Sequence, residues 1–202
     1  MLILKNIKGL VQARTSVPAR LAGKEMAELP VIENAWLCVR EGRIEDFGQM
    51  ESLPDFDDNS SREIIDCTDK FVFPTWVDSH THIVYAGNRE GEFVDRIKGM
   101  SYAEIAEKGG GILNSAAKLG QTDESELFDQ ASQRLQGILK TGTGAVEIKS
   151  GYGLTTDSEL KMLRVIRKLK ESHPLPIKAT FLGAHAIPRQ FRGDKEGYLR
   201  LI

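Results

Sequence analysis

"GAVEIKSGYGLTTDSELKMLRVIRKLKESHPLPIKATFLGAH", residues 144–185, contains a complete strand–helix–strand repeat. Val146 and Ile148 alternate with Glu147 and Lys149, as on a strand, and Gly151 and Gly153 turn its end into a loop. Thr156 and Glu159 have capping-box spacing and open a helix whose apolar stripe is Leu160, Leu163, Ile166 and Leu169. His173-Pro174 stops that helix, with His173 expected to face solvent. "IKATFLGAH" reads as the next strand, ending at His185.

The same grammar runs towards the N-terminus. Leu127, Ala131, Leu135 and Ile138 recur every three or four residues between Thr122 and Lys140, which predicts an amphipathic helix. Ser101 and Glu104 form another capping box, the glycines at 109–111 break the helix it opens, and "ILNSAAKL" makes a short helix after them. The triple glycine is not read as a phosphate loop, because no Lys-Ser/Thr follows it. Upstream again, "FVFPTWVD" is an apolar run expected to be a buried strand, and it leads into "SHTH".

Alternating strands and helices define parallel α/β units. The polar and glycine-rich residues gather just after the strand ends, as HTH, KSGYG and GAH. A (β/α)8 barrel places its active residues there, so residues 71–202 are expected to be the first three or so β/α units of a TIM barrel. A closed barrel needs roughly 250 residues. The chain is therefore expected to be the N-terminal part of a longer protein.

Residues 1–70 read as a small β domain. "LILKNIKGLV" opens it, "AWLCVREGRIEDFG" is a hairpin around Glu41-Gly42, "DFDDNSS" at 55–61 is loop, and "REIIDC" is a further strand. Of the 202 residues, 41% are hydrophobic and 28% charged, with a formal charge of −2, as in a soluble globular protein. The basic residues are dispersed, which argues against a nucleic-acid partner. No apolar run reaches the ~20 residues that span a bilayer, which argues against a membrane one. Two widely spaced cysteines, Cys38 and Cys67, match no zinc or redox spacing and suit a cytoplasmic location.

The chemistry is concentrated in "DSHTHI". On a strand, residues i and i+2 share a face, so His80 and His82 aim two imidazoles at one point while Thr81 points away. That spacing suits two metal–nitrogen bonds, though an H-x-H pair also occurs on surfaces that bind nothing. Asp78 has the same parity and can orient one of the rings from behind. Two histidines do not complete a catalytic zinc site, which usually has three protein ligands. His185 can face the same point. Glu147 and Lys149 share a face on which each charge needs a partner.

"PTWVDSHTHIVYAGNREGEFVDRIKGMSYAEIAEKGGGI", "VEIKSGYGL" and "TFLGAHAIP" resemble, in order and spacing, the N-terminal half of the imidazolonepropionase family of the amidohydrolase superfamily. The resemblance implies a β-sandwich-like domain, completed by a C-terminal segment, on a metal-dependent (β/α)8 barrel. It implies hydrolysis of the cyclic amide 4-imidazolone-5-propanoate to N-formimidoyl-L-glutamate in histidine degradation, with one zinc or iron ion activating water. His80 and His82 match the first two metal ligands. The other ligands, and the glutamate acting as acid/base, are expected after Ile202, so no catalytic set is complete in this chain. Arg89 matches the arginine that holds the anionic substrate, where two parallel donors suit a carboxylate. Tyr102 is a second candidate for that anion pocket. Tyr152, between two glycines, and His185 match substrate-contacting positions. A homodimer is compatible with the resemblance. Two other readings stay open: another amidohydrolase such as a nucleobase deaminase, and a truncated chain without catalysis that binds metal weakly.

Overall fold

A computed structural model describes residues 1–16, 18–56 and 62–202. The loop expected at 55–61 thus lies, at 57–61, outside the described residues. The chain divides into two compact units, Met1–Pro74 and Thr75–Ile202.

The first unit is a mixed sheet of β1 (Leu2–Val11), β2 (Val31–Arg40), β3 (Arg43–Gln49), β4 (Glu63–Asp66) and β5 (Phe71–Val72). The strand order is β3-β2-β1-β4, with β5 also paired to β1. The β2–β3 hairpin turns at Glu41 (φ 51°) and Gly42 (φ 74°). Positive φ at both central residues gives the twist that hairpin strands require. Both faces carry apolar packing: Ile7, Ala35 and Leu37 in one cluster, Ile3, Trp36 and Cys38 in the other. Cys38 and Cys67 are buried free thiols.

The second unit begins with β6 (Trp76–Thr81), followed by α1 (Glu90–Ile97), α2 (Tyr102–Glu107), α3 (Ile112–Gln121) and α4 (Glu124–Lys140). β7 (Thr143–Lys149), α5 (Thr156–Ser172), β8 (Ile177–Thr180) and α6 (Lys195–Leu201) complete it. The strands form a parallel sheet in the order β6-β7-β8, so the unit is α/β, and no complete barrel is present among the described residues. Val146 and Ile148 pack with Leu119, Leu127, Leu135 and Leu169 from the helices in one core. Burying each such side chain contributes about 1.5–3 kcal/mol relative to leaving it exposed. By strand alternation, Glu147 and Lys149 occupy the face opposite that core.

Four local expectations are corrected. The cap of α5 is Thr155, whose hydroxyl accepts from the Ser158 N–H, and Glu159 is buried elsewhere instead of closing a capping box. The buried stripe of α5 runs through Met162, Val165, Ile166 and Leu169, whereas Leu160 is 48% exposed. The run "FVFPTWVD" is not buried: Phe73, Trp76 and Val77 stand in solvent, with no layer over them among the described residues. His173 is half-buried, not solvent-facing, because its Nε2 lies 2.8 Å from the Ser132 hydroxyl of α4.

Candidate active site

β6, which contains His80, and the residue just after it, His82, bring two imidazoles to the C-terminal end of the sheet, with ring centroids 5.4 Å apart. His82 is the centre of an aromatic group. Tyr152 stacks on it at 4.7 Å and 13°, and His185 lies 4.9 Å away. Tyr152 and His185 are 5.5 Å from one another. Three segments separated by 30 residues or more in the chain thus meet at one point, each just past a different strand.

Both ring nitrogens of His82 are buried without a hydrogen bond of good geometry. Burial holds this ring below the usual histidine pKa, and positive charge on His185 and His80 pushes it the same way; the nearby Lys149 main chain opposes them weakly. A neutral imidazole with unsatisfied nitrogens is the form that ligates a metal. The donor set therefore fits a metal ion at His80 and His82, but among the described residues no cluster of three or more candidate ligands surrounds them. Asp78 does not orient a ring. Its carboxylate accepts from the His80 main-chain N–H at 3.1 Å and so shapes the strand end instead.

A cavity of about 270 Å³ opens beside His82 and Tyr152. Arg89, at the N-terminus of α1, lines it together with Lys118 of α3, Asn88, Asn114 and Ser115. Arg89 donates from Nε to the Glu92 carboxylate at 2.7 Å, and Glu92 also accepts from the Gly111 N–H at 2.9 Å. This pair fixes the guanidinium to the glycine turn that starts α3. Lys118 makes no ion pair among the described residues, so the cavity wall carries a cation in excess of its carboxylates. Such a wall favours an anion. Tyr102, 63% exposed at the start of α2, is not among the residues lining the cavity, but its hydroxyl lies beside Gly111, the residue that Glu92 holds. His185 is not on β8 itself but in a 3-10 turn, Gly183–His185, beyond the strand end.

The loops that carry these residues are anchored from behind. Arg134 of α4 donates to the carbonyls of Ile83 (3.0 Å) and Tyr85 (2.9 Å) and stacks over the Tyr85 ring, holding the segment between His82 and Arg89. The buried Tyr198 hydroxyl of α6 donates to the Gly183 carbonyl at 2.6 Å and pins the turn of His185. Glu159 accepts from the main chain around Tyr152. None of these three was singled out from sequence for such a role. Each is a long polar side chain on a helix, and only the packing shows which loop it reaches. On the opposite face, Lys149 Nζ and Thr180 Oγ1 both donate to Glu147 at 2.6 Å, which lowers its carboxyl to about 2, the lysine hydrogen bond acting first.

No protein-family profile matches the chain. Individual proteins do. The imidazolonepropionases of Christiangramia forsetii and Flavobacterium johnsoniae are 55% and 56% identical to it over 201 and 197 residues. Those alignments cover 100% and 98% of this chain, and 48% and 47% of the two relatives. The chain therefore spans about half the length of the relatives it matches. Among solved structures, E. coli guanine deaminase superposes with a TM-score of 0.58 at 15% identity, over 89% of this chain and 37% of its own. A variant of atrazine chlorohydrolase from Arthrobacter aurescens TC1, in complex with zinc and atraton, gives 0.56 at 17%, over 89% and 35%. At such identities the likeness is one of fold. Over its whole length, this chain corresponds in sequence to one half of an imidazolonepropionase.

Proposed function

We propose that this chain is the N-terminal half of a metal-dependent cyclic-amide hydrolase that converts 4-imidazolone-5-propanoate to N-formimidoyl-L-glutamate in the cytoplasm, a step of histidine degradation. The observation that carries the reading is identity of 55–56% to imidazolonepropionases along the whole chain. The gathering of His82, Tyr152 and His185 beside a cation-lined cavity supports it. In this reading residues 71–202 supply the first β/α units of a barrel, and residues 1–70 a β domain completed by a C-terminal segment.

His80 and His82 would hold zinc or iron, and the bound ion would make hydroxide available near neutral pH. The chain's own residues do the rest of the work in this half. Arg89, kept in place by Glu92, presents its remaining guanidinium N–H groups to the propanoate carboxylate, and that contact seats the ring. Tyr152 and His185 flank the ring where its amide carbonyl is attacked, and their packing on His82 keeps the scissile bond beside the metal ligands. Tyr102, whose hydroxyl lies beside Gly111, is a second candidate on the Arg89 side of the pocket.

The test is turnover by the full-length protein. It should open imidazolonepropanoate, followed by loss of the imidazolone absorbance. Arg89→Met should lower kcat/KM by about 10²-fold, the scale of a lost charge-assisted pair with a substrate carboxylate. Turnover of guanine with no turnover of imidazolonepropanoate would overturn the assignment in favour of a nucleobase deaminase.

A further inference from the structure

Glu159 is 3% exposed, and no cation pairs with it among the described residues. Its carboxylate accepts instead from the main chain: the Gly151 N–H at 2.9 Å, the Gly153 N–H at 2.6 Å and the Leu154 N–H at 3.2 Å. A buried charge is tolerated only where such donors compensate it. The loop it binds does not hold its shape on local preference alone. Gly151 has φ +113° and Leu154, a side-chain-bearing residue, has φ +54°. Left-handed backbone at a non-glycine residue is disfavoured unless surrounding contacts impose it. Gly153 lies directly against the first turn of α5, where a Cβ would come within 2.4 Å of the Glu159 nitrogen. Tyr152 is thus the one side chain projecting between two clamped residues, and its ring lies flat on His82.

We infer that Glu159 is a positioning residue for the pocket, its carboxylate setting the Gly151–Leu154 loop so that Tyr152 lies on His82. The role in turnover rests on the reading of Tyr152 as a substrate contact; the role in ring placement does not. A residue that only tied α5 to β7 would stabilise the fold without fixing the Tyr152 ring. In Glu159→Gln, one acceptor oxygen becomes an NH2 group facing main-chain N–H donors, so the loop loses part of its clamp while side-chain volume is kept.

Two measurements on the full-length protein test this. In the metal-free protein with labelled tyrosine, the Tyr152 ring signals, assigned by their loss in Tyr152→Phe, should move in Glu159→Gln towards those of an unstacked tyrosine. In the active enzyme, Glu159→Gln should lower kcat/KM with imidazolonepropanoate by about 10–100-fold, but by less than about 2-fold in a Tyr152→Ala background, because the two residues act as one unit. Unchanged Tyr152 signals, or losses that multiply across the two substitutions, would overturn the inference. Should Glu159→Gln not fold, Glu159→Asp keeps the charge but shortens its reach and is read in the same way. If the wild-type enzyme fails to open imidazolonepropanoate, the functional assignment falls while the ring signals still decide whether Glu159 positions Tyr152.

Discussion

At the scale of single residues, the Glu147–Lys149–Thr180 group makes an acid-sensitive contact inside the second unit. Hydrogen bonds from Lys149 and then Thr180 lower the Glu147 carboxyl from its ordinary 4.5 to about 2. A depressed carboxylate contributes stability above its unfolded pKa and loses it as pH falls towards the folded one. The stability difference between wild type and Glu147→Gln is therefore expected to be flat above pH ~4.5 and to shrink between there and pH ~2. Thermal unfolding of both proteins across that range checks it, and parallel curves would show that the group adds nothing. That Glu147 and Lys149 share a face follows from strand alternation, and so was legible in the sequence. Thr180 as the second donor was not, since it lies 33 positions away on a neighbouring strand.

At the scale of elements, the junction of β7, its glycine loop and α5 separates what patterning reveals from what it hides. The strand, the loop and the helix were each legible from the alternation of Val146 and Ile148, the glycines and the 3.6-residue period. The orientation of the helix was not. The sequence pattern placed Leu160 inside and Glu159 in a capping box, but the loop N–H groups draw the carboxylate in, and Leu160 is turned out to 48% exposure. Gly153 tests how tight this junction is. Gly153→Ala would set a Cβ against the backbone of Ser158 and Glu159, which neither residue can vacate, and should cost about 1–3 kcal/mol or more. Gly137, within α4, has open space where a Cβ would sit, and Gly137→Ala should gain about 0.5–1 kcal/mol. Urea unfolding of the two variants measures both, and equal effects would refute the tight junction.

At the scale of the whole molecule, the parallel sheet of the second unit is open. Among the described residues β6 and β8 each have one paired side, and Trp76 and Val77 are each 71% exposed. Parallel sheets are ordinarily covered on both faces, and free edges pair with other chains. The 202-residue chain, expressed by itself, should therefore self-associate with rising concentration and hold zinc only weakly through its two adjacent histidines. Light scattering and a chelator competition would show this; a monodisperse monomer with tight stoichiometric metal would contradict it. The strand–helix alternation from Thr122 to Thr180, the hairpin at Glu41-Gly42 and the shared face of Glu147 and Lys149 were readable in advance, because periodicity and turn chemistry are local properties of the chain, whereas the helix at Glu90–Ile97 carried no such signal. The stacking of Tyr152 on His82, the anchoring of Glu92 to the Gly111 turn and the inward turn of Glu159 were set by folding. They depend on which loop each helix reaches once the core has packed, and no local pattern encodes that distance.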